Sequence, residues 1–211
     1  MEKTLVILKP CTVQRGLIGE IVNRFEKKGL RLAGMKMVWL TDEILSEHYA
    51  HLKEKPFFQR IKDAMSVCPV IVCCWEGVDA IHVVRTLAGA TNGRNAAPGT
   101  IRGDYSMSVQ ENIVHASDSP ETAEIELKRF FKDDEIFDYE LKNLLSLYAN
   151  DEFYTKMLEQ PREMGEMTLK DFVPMSLRCQ MRSNRKSGKC KEKQNIAGER
   201  FANHYPRRCK I

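Results

Sequence analysis

The sequence predicts an α/β sandwich, and three observations predict it. Short apolar runs such as "TLVILKP" (4–10) and "PVIVCCWEG" (69–77) have the length and bulk of strands buried on both faces. Between them lie segments whose apolar residues repeat every three or four positions, the signature of helices that bury one face. The two kinds of segment alternate, and in an α/β protein that alternation layers helices against a sheet.

The elements follow in order. The run 4–10 is a strand ended by Lys9-Pro10. Leu17, Ile21 and Phe25, widened by Ile18 and Val22, mark one helix face, and Gly29 is placed to close that helix in a left-handed conformation. "RLAGMKMVWL" (31–40) reads as a second strand, and "TDEILSEHYAHLKE" as a helix capped by Thr41 or Asp42. A short helix around "FFQRIKDAM" precedes the strand 69–77, and Ala80, Val83, Val84, Leu87 and Ala88 mark the face of another helix. Residues 89–105 carry four glycines, a proline and two arginines without apolar period and are expected to form a long loop, a length that usually signals function. "NIVH" (112–115) is a short strand. Ser119, with Pro120 in the first turn, starts a helix whose apolar face is Ala123, Leu127, Phe130 and Phe131. The order is βαββαβ with extra helices, which implies a ferredoxin-like sandwich built on a four-stranded antiparallel sheet.

Composition narrows the function classes. At 43% hydrophobic and 29% charged residues over 211 positions, the chain can bury a core but has no apolar run long enough to span a bilayer. The quickly charged N-terminus does not read as a signal peptide, so a cytoplasmic protein is expected. Seven cysteines without a Cys-x-x-Cys pair suit reduced thiols better than a disulfide framework or a structural zinc site. Charge is uneven: residues 152–211 hold 14 Lys/Arg against 7 Asp/Glu, a basic extension on a mildly acidic body.

Two constellations carry chemistry. His115 stands at the end of the strand 112–115, and by itself such a histidine is more often a satisfied structural residue. Glu126, on the following helix beside its apolar face, is placed to turn back and orient the ring, and Ser117 to tie the carboxylate. A nucleophile with an orienting carboxylate is triad logic in reduced form. Lys9, Arg85 and Arg102 form a second, cationic set at a strand end, on a helix and in the glycine-rich loop. Surface charges are usually just solvated, but a lysine and two guanidinium forks also match the oxygens of a transferring phosphoryl group. There is no Gly-x-x-x-x-Gly-Lys-[Ser/Thr] loop and no Gly-x-Gly-x-x-Gly, so a bound nucleotide would need some other cradle.

The blocks "LVILKP", "VQRGLIGEIVNRFEKKGLRLAGMKM", "HYAHLKEKPFF", "APGTIRGD" and "NIVHASDSPETAEIEL" together resemble the nucleoside diphosphate kinases, in order and nearly without gaps from Lys3 to Phe131. The resemblance implies a ping-pong enzyme that moves the terminal phosphoryl group of a nucleoside triphosphate to a nucleoside diphosphate through a phosphohistidine. It implies that His115 is phosphorylated with Glu126 and Ser117 in support, that Lys9 and Tyr49 lie near the transferring group, and that Arg85, Thr91 and Arg102 hold phosphates. Asn112 would contact the sugar hydroxyl, and Phe57 would stack on the base and so accept every base. Mg2+ is implied between the outer phosphates, with no protein carboxylate cage. A homo-oligomer, tetramer or hexamer, is implied as well.

The sequence departs from the family pattern in three places. Cys11 and Thr12 replace the usual Asp-Gly after Lys-Pro, which predicts an oxidation-sensitive thiol near the site and a lost hydrogen bond to Lys9. Gly93 and Arg94 stand where many relatives carry proline, which questions stability and subunit contacts there. The third departure is the length: residues 1–151 are expected to be the catalytic domain, and 152–211 a largely disordered extension with at most a weak attraction to nucleic acid.

Overall fold

The computed structural model describes residues 1–139, 141 and 147–149; the expected extension at 152–211 lies outside the described residues. Four strands form one sheet: β1 (Glu2–Leu8), β2 (Arg31–Val38), β3 (Val70–Gly77) and β4 (Val114–Ala116). Their spatial order is β2-β3-β1-β4 with every neighbouring pair antiparallel, as the βαββαβ reading requires. The helices are α1 (Pro10–Gln14), α2 (Ile18–Lys28), α3 (Asp42–His48), α4 (Phe58–Met65), α5 (Ala80–Ala88), α6 (Ile101–Tyr105) and α7 (Pro120–Phe130).

Strand β1 is central, which is why its apolar run is continuous. Leu5, Val6, Ile7 and Leu8 are all fully buried. The period of two sends Val6 and Leu8 into one core with Ile21 and Phe25 of α2 and Ala80 and Val84 of α5. Leu5 and Ile7 enter the other, with Leu45 of α3, Met65 of α4 and Leu127 and Phe130 of α7. Helices therefore cover both faces, and each buried Leu or Ile contributes roughly 1.5–3 kcal/mol.

Local signals hold at the helix ends. Gly29 closes α2 at φ 100°, Thr41 accepts a hydrogen bond from the Ile44 amide at the start of α3, and Ser119 accepts one from the Thr122 amide at the start of α7, with Pro120 in its first turn.

Three expectations change. The first strand stops at Leu8, because Pro10, which has no N–H to give a sheet, instead begins α1 with Lys9 at its N-cap. The fourth strand shifts forward to Val114–Ala116, so His115 is its middle residue and not its end. The cause is Ile113, which adopts φ 70°, a costly conformation for a β-branched residue. Its carbonyl there accepts from the Lys9 amide and the Thr12 hydroxyl, which fix the kink. Finally, the expected loop 89–105 contains a single 3-10 turn at Gly93–Asn95 and the helix α6, whose cap Thr100 accepts from the Gly103 amide. Only Ile101 and Tyr105 supply apolar bulk to that short helix, too little for a period to show in the sequence.

The glycine at 93 is required where it stands. A Cβ there would meet the Ser106 carbonyl oxygen at 2.2 Å, and its own amide donates to the Ser108 carbonyl at 3.2 Å, a bond proline would forfeit. Arg94 donates to the Met107 carbonyl at 2.9 Å. This stretch is thus secured within its own chain, whatever stands there in relatives.

Candidate active site

His115 is delivered by β4, paired to Ile7 of the central strand, with its side chain 23% exposed. Its Nε2 lies 2.8 Å from Glu126 Oε1. The other carboxylate oxygen accepts from Ser117 Oγ at 2.6 Å, and that hydroxyl accepts from the Leu5 amide at 3.3 Å. Burial works to raise the Glu126 pKa, yet the hydrogen bonds from His115 and Ser117 hold the carboxyl below its ordinary value. Glu126 is therefore an anion at neutral pH, able only to accept. It follows that His115 Nε2 carries the proton and Nδ1 keeps its lone pair, the arrangement a nucleophilic imidazole needs.

The cations converge on the backbone around this ring. Arg102 is 8% exposed and donates to the carbonyls of Asn112 at 3.1 Å, Gly89 at 2.6 Å and Val114 at 2.7 Å. Arg85 Nη1 reaches the carbonyl of Ala116 at 3.4 Å. The two guanidiniums thus bracket His115 through the residues before and after it. Burial, then the charge of Arg85, pushes Arg102 down to about 10, so it stays cationic at neutral pH.

Lys9 completes the set. Its Nζ donates to Asn112 Oδ1 at 2.6 Å and to the Gln110 carbonyl at 3.3 Å, while Asn112 Nδ2 donates to the carbonyls of Thr91 at 3.0 Å and Val109 at 2.8 Å. Lys9, Tyr49, Phe57, Thr91 and Asn112 all line one cavity of about 300 Å3. Phe57 is 38% exposed at its rim, and burial pushes the Tyr49 phenol up, so it is an un-ionised donor. Burial, and next the charge of Arg102, lower the Lys9 ammonium to about 8. If that charge serves phosphate binding, kcat/KM falls as pH rises through about 8, and Lys9→Arg, cationic throughout, removes this alkaline limb. A profile flat to about pH 10 contradicts it.

Chemically, the site offers an oriented imidazole lone pair, two guanidiniums bonded to the carbonyls on either side of that residue, and a cavity lined by a lysine and an aromatic ring. A family model described as nucleoside diphosphate kinase matches residues 2–136. A nucleoside diphosphate kinase of Parabacteroides distasonis is 99% identical over 153 residues, which cover 72% of this chain and all of that protein. The chain belongs to the nucleoside diphosphate kinase family. A second nucleoside diphosphate kinase, from Pyrococcus abyssi, is 53% identical over 158 residues, 74% of this chain and 95% of that one. Among solved structures, a halophilic nucleoside diphosphate kinase from Halobacterium salinarum in complex with CDP is 44% identical, with a TM-score of 0.68 over 70% of this chain and 98% of that one.

Of the residues singled out by the nucleoside diphosphate kinase resemblance, five form two hydrogen-bonded groups. His115, Ser117 and Glu126 form one hydrogen-bonded unit, and Lys9 and Asn112 another, which also reaches the Thr91 carbonyl. Arg85 lines a separate polar recess with Glu2, Asp79, His82 and Asp118, and Arg102 faces the backbone. One expectation at Cys11 changes. The thiol is 8% exposed and burial raises its pKa, so it is neither accessible nor thiolate-prone. Lys9 is held by Asn112 and the Gln110 carbonyl.

One residue of the site was missed. His48 of α3 packs edge-on against His115, with ring centroids 4.5 Å apart. Its signal was present: Leu45, His48 and Tyr49 share a helical face, and all three are buried.

Proposed function

We propose that the chain transfers the γ-phosphoryl group of a nucleoside triphosphate to a nucleoside diphosphate through His115. The observation that carries this reading is the 2.8 Å contact of His115 Nε2 with Glu126. In the first half-reaction the Nδ1 lone pair attacks the γ-phosphorus, the bond to the bridging oxygen breaks, and a nucleoside diphosphate leaves. The positive charge that develops on the ring meets the Glu126 carboxylate across Nε2–H. In the second half-reaction a terminal oxygen of a different nucleoside diphosphate attacks the phosphorus and the N–P bond breaks. Lys9, Arg85, Arg102 and Thr91 hold phosphate oxygens in this reading, with Tyr49 beside the transferring group and Asn112 at the sugar hydroxyl.

Phe57, at the cavity rim, offers a stacking face to any base, which supports broad base tolerance. The CDP in the Halobacterium salinarum relative supports a nucleoside diphosphate in the corresponding cavity here.

The family acts on nucleotides that carry a divalent cation, and we propose that Mg2+ is that cation. The donor set fits an ion brought by the phosphates. The carboxylate nearest the reacting ring, Glu126, is taken up by His115 and Ser117, and among the described residues the one cluster of three ligand-type side chains, His48, His115 and Glu126, is engaged with itself and with Arg129. A bound Mg2+ would supply neutralisation of the phosphate charge.

A ping-pong enzyme gives parallel double-reciprocal plots when ATP and a non-adenine nucleoside diphosphate are varied together. Intersecting lines, or no turnover, contradict the proposal.

The reading extends to assembly and domain organisation. Strand β2 is an edge of the sheet, covered at its start where Phe137 and Tyr139 donate to the Ala33 and Leu32 carbonyls, and Met35 and Met37 on it and Trp39 just beyond its end are exposed by 43%, 57% and 60%. A sheet edge with an exposed apolar stripe is avoided in a monomer, so we propose that a second copy pairs there, within a tetramer or hexamer. Light scattering that gives a monomer mass contradicts this.

We place catalysis in residues 1–151, with the protein working in the cytoplasm. The described cysteines are free, and among the described residues no helix is long and apolar enough to cross a membrane. The match that spans the whole Parabacteroides distasonis relative within 153 residues supports a dispensable extension. Deleting 152–211 leaves kcat within about twofold, a change of under ~0.5 kcal/mol in the barrier; a larger loss contradicts it. Loss of a weak, salt-sensitive affinity for nucleic acid on the same deletion would assign the extension that contact.

A further inference from the structure

His48 is buried, with a side chain 1% exposed, yet it is not a satisfied core histidine. Its Nδ1 lies 3.4 Å from Arg129 Nη1 and 3.6 Å from Glu126 Oε1, and its Nε2 is buried without a hydrogen-bond partner among the described residues. A guanidinium can only donate, so Nδ1 accepts from Arg129 and the proton sits on Nε2. A contact of 3.6 Å is too long to be a hydrogen bond, so His48 takes nothing from Glu126. An unpartnered buried N–H is a liability that a phenylalanine of similar shape would not carry. Packing alone would be served as well by a phenylalanine.

The surroundings say what the ring does. It stands edge-on to His115 at 4.5 Å, to Tyr49 at 4.7 Å and to Phe130 at 5.4 Å, so it walls the side of the nucleophile's ring. Glu126 Oε1 lies within reach of both imidazoles, but only His115 bonds to it. If His48 were protonated, it would draw that carboxylate away and place a cation beside the nucleophile. Charged and titratable groups facing it come from β4 (His115), α7 (Glu126 and Arg129) and the turn after α3 (His51). Burial, and next the charge on His115, push His48 down to about 3, and Arg129 and His51 add to this against the pull of Glu126. The three ligand-type atoms lie within 4.8 Å of one another, but Arg129 occupies the lone pair a metal ion would need.

We propose that His48 is a positioning residue: its ring backs His115, and Arg129 holds it in the uncharged Nε2–H form so that Glu126 serves one imidazole alone. The inference rests on His115 as the phosphate carrier.

Long-range 15N–1H NMR of the full chain is expected to find His48 protonated on Nε2 at neutral pH; protonation on Nδ1 overturns the proposal and is independent of turnover. In rapid-mixing phosphorylation by ATP, His48→Ala lowers the transfer rate about tenfold or more while nucleotide affinity stays within about twofold, and His48→Phe recovers most of the rate at neutral pH. Equal losses in both variants, or no loss in His48→Ala, overturn it. Arg129 is only partly buried at the edge of α7, so Arg129→Met tests the claim even if removing the ring unfolds the protein. That change moves the acid limb of the pH–rate profile towards neutral, and combining it with His48→Phe cancels the shift. An unchanged acid limb overturns the proposal. Wild type that never labels at His115 overturns the phosphohistidine reading as well, whereas labelled wild type with unaffected variants overturns this inference alone.

Discussion

His115→Gln leaves no phosphoryl transfer above background. Glutamine can still reach towards Glu126 and fill much of the imidazole's space, but an amide nitrogen has no lone pair basic enough to attack phosphorus. The fold survives, because the middle residue of β4 contributes its backbone to the ladder with Ile7 and its side chain is 23% exposed, outside both cores. The expected loss is therefore in kcat, by roughly 10⁴-fold or more, with nucleotide affinity kept by Lys9, Phe57 and the arginines. Steady-state turnover together with equilibrium binding of a nucleoside diphosphate reads both. Residual turnover within tenfold of wild type would mean that another group carries the phosphoryl.

Glu126→Gln should have the next largest effect. The amide keeps the shape and can still accept from His115 Nε2–H and donate to Ser117 Oγ, so the fold is retained. Missing is the negative charge opposite the developing imidazolium. In a site where Glu126 is 5% exposed, that charge is poorly screened, and its loss is expected to cost about 10²-fold in the rate of phosphorylation, or ~2.7 kcal/mol. The same variant reports on pH. The Glu126 carboxyl sits below its ordinary pKa in the folded protein, so its ionisation stabilises the fold above the ordinary carboxylate value and that stability is lost as pH falls through the lowered one. His48, depressed from 6.5 to about 3, acts in the same direction: the unfolded chain takes up its proton first, and stability drains as pH falls between these values. Acid melts of Glu126→Gln should therefore be shallower than wild type below about pH 4.5. Superimposable melts, with wild-type rates, would remove Glu126 from the site.

Much of this site was legible in the sequence because its parts are local. The strand, the Ser119 cap with Pro120, and the turn that returns Glu126 all fall between Asn112 and Phe130, where period and capping rules apply. The central strand was legible for a different reason: burial on both faces makes Leu5 to Leu8 uniformly apolar, a pattern that needs no partner to be seen.

What escaped was set by contacts distant in sequence. The left-handed Ile113 cannot be foreseen from a β-branched residue that favours strands; the Val114 amide donates to the Asn112 carbonyl across it, and its own carbonyl accepts from Lys9 and Thr12, about a hundred residues away. Arg102 read as an exposed loop cation, but it is buried, and three backbone carbonyls from two segments take its donors. Cys11 read as an oxidation-sensitive thiol because it stands beside a site lysine where relatives carry aspartate; in space it belongs to a core cluster that includes Val6, Leu8 and Ile113. His48 lay one residue before a site tyrosine, and only the packing of α3 against β4 and α7 gives it a role.

The most direct measurement is to mix the full-length protein with γ-labelled ATP, quench in alkali, and map the label by peptide mass spectrometry. An alkali-stable, acid-labile phosphate on His115 is expected, discharged quantitatively when a nucleoside diphosphate is added. Label on another residue, or a His115 phosphate that added nucleoside diphosphate fails to remove, would contradict it.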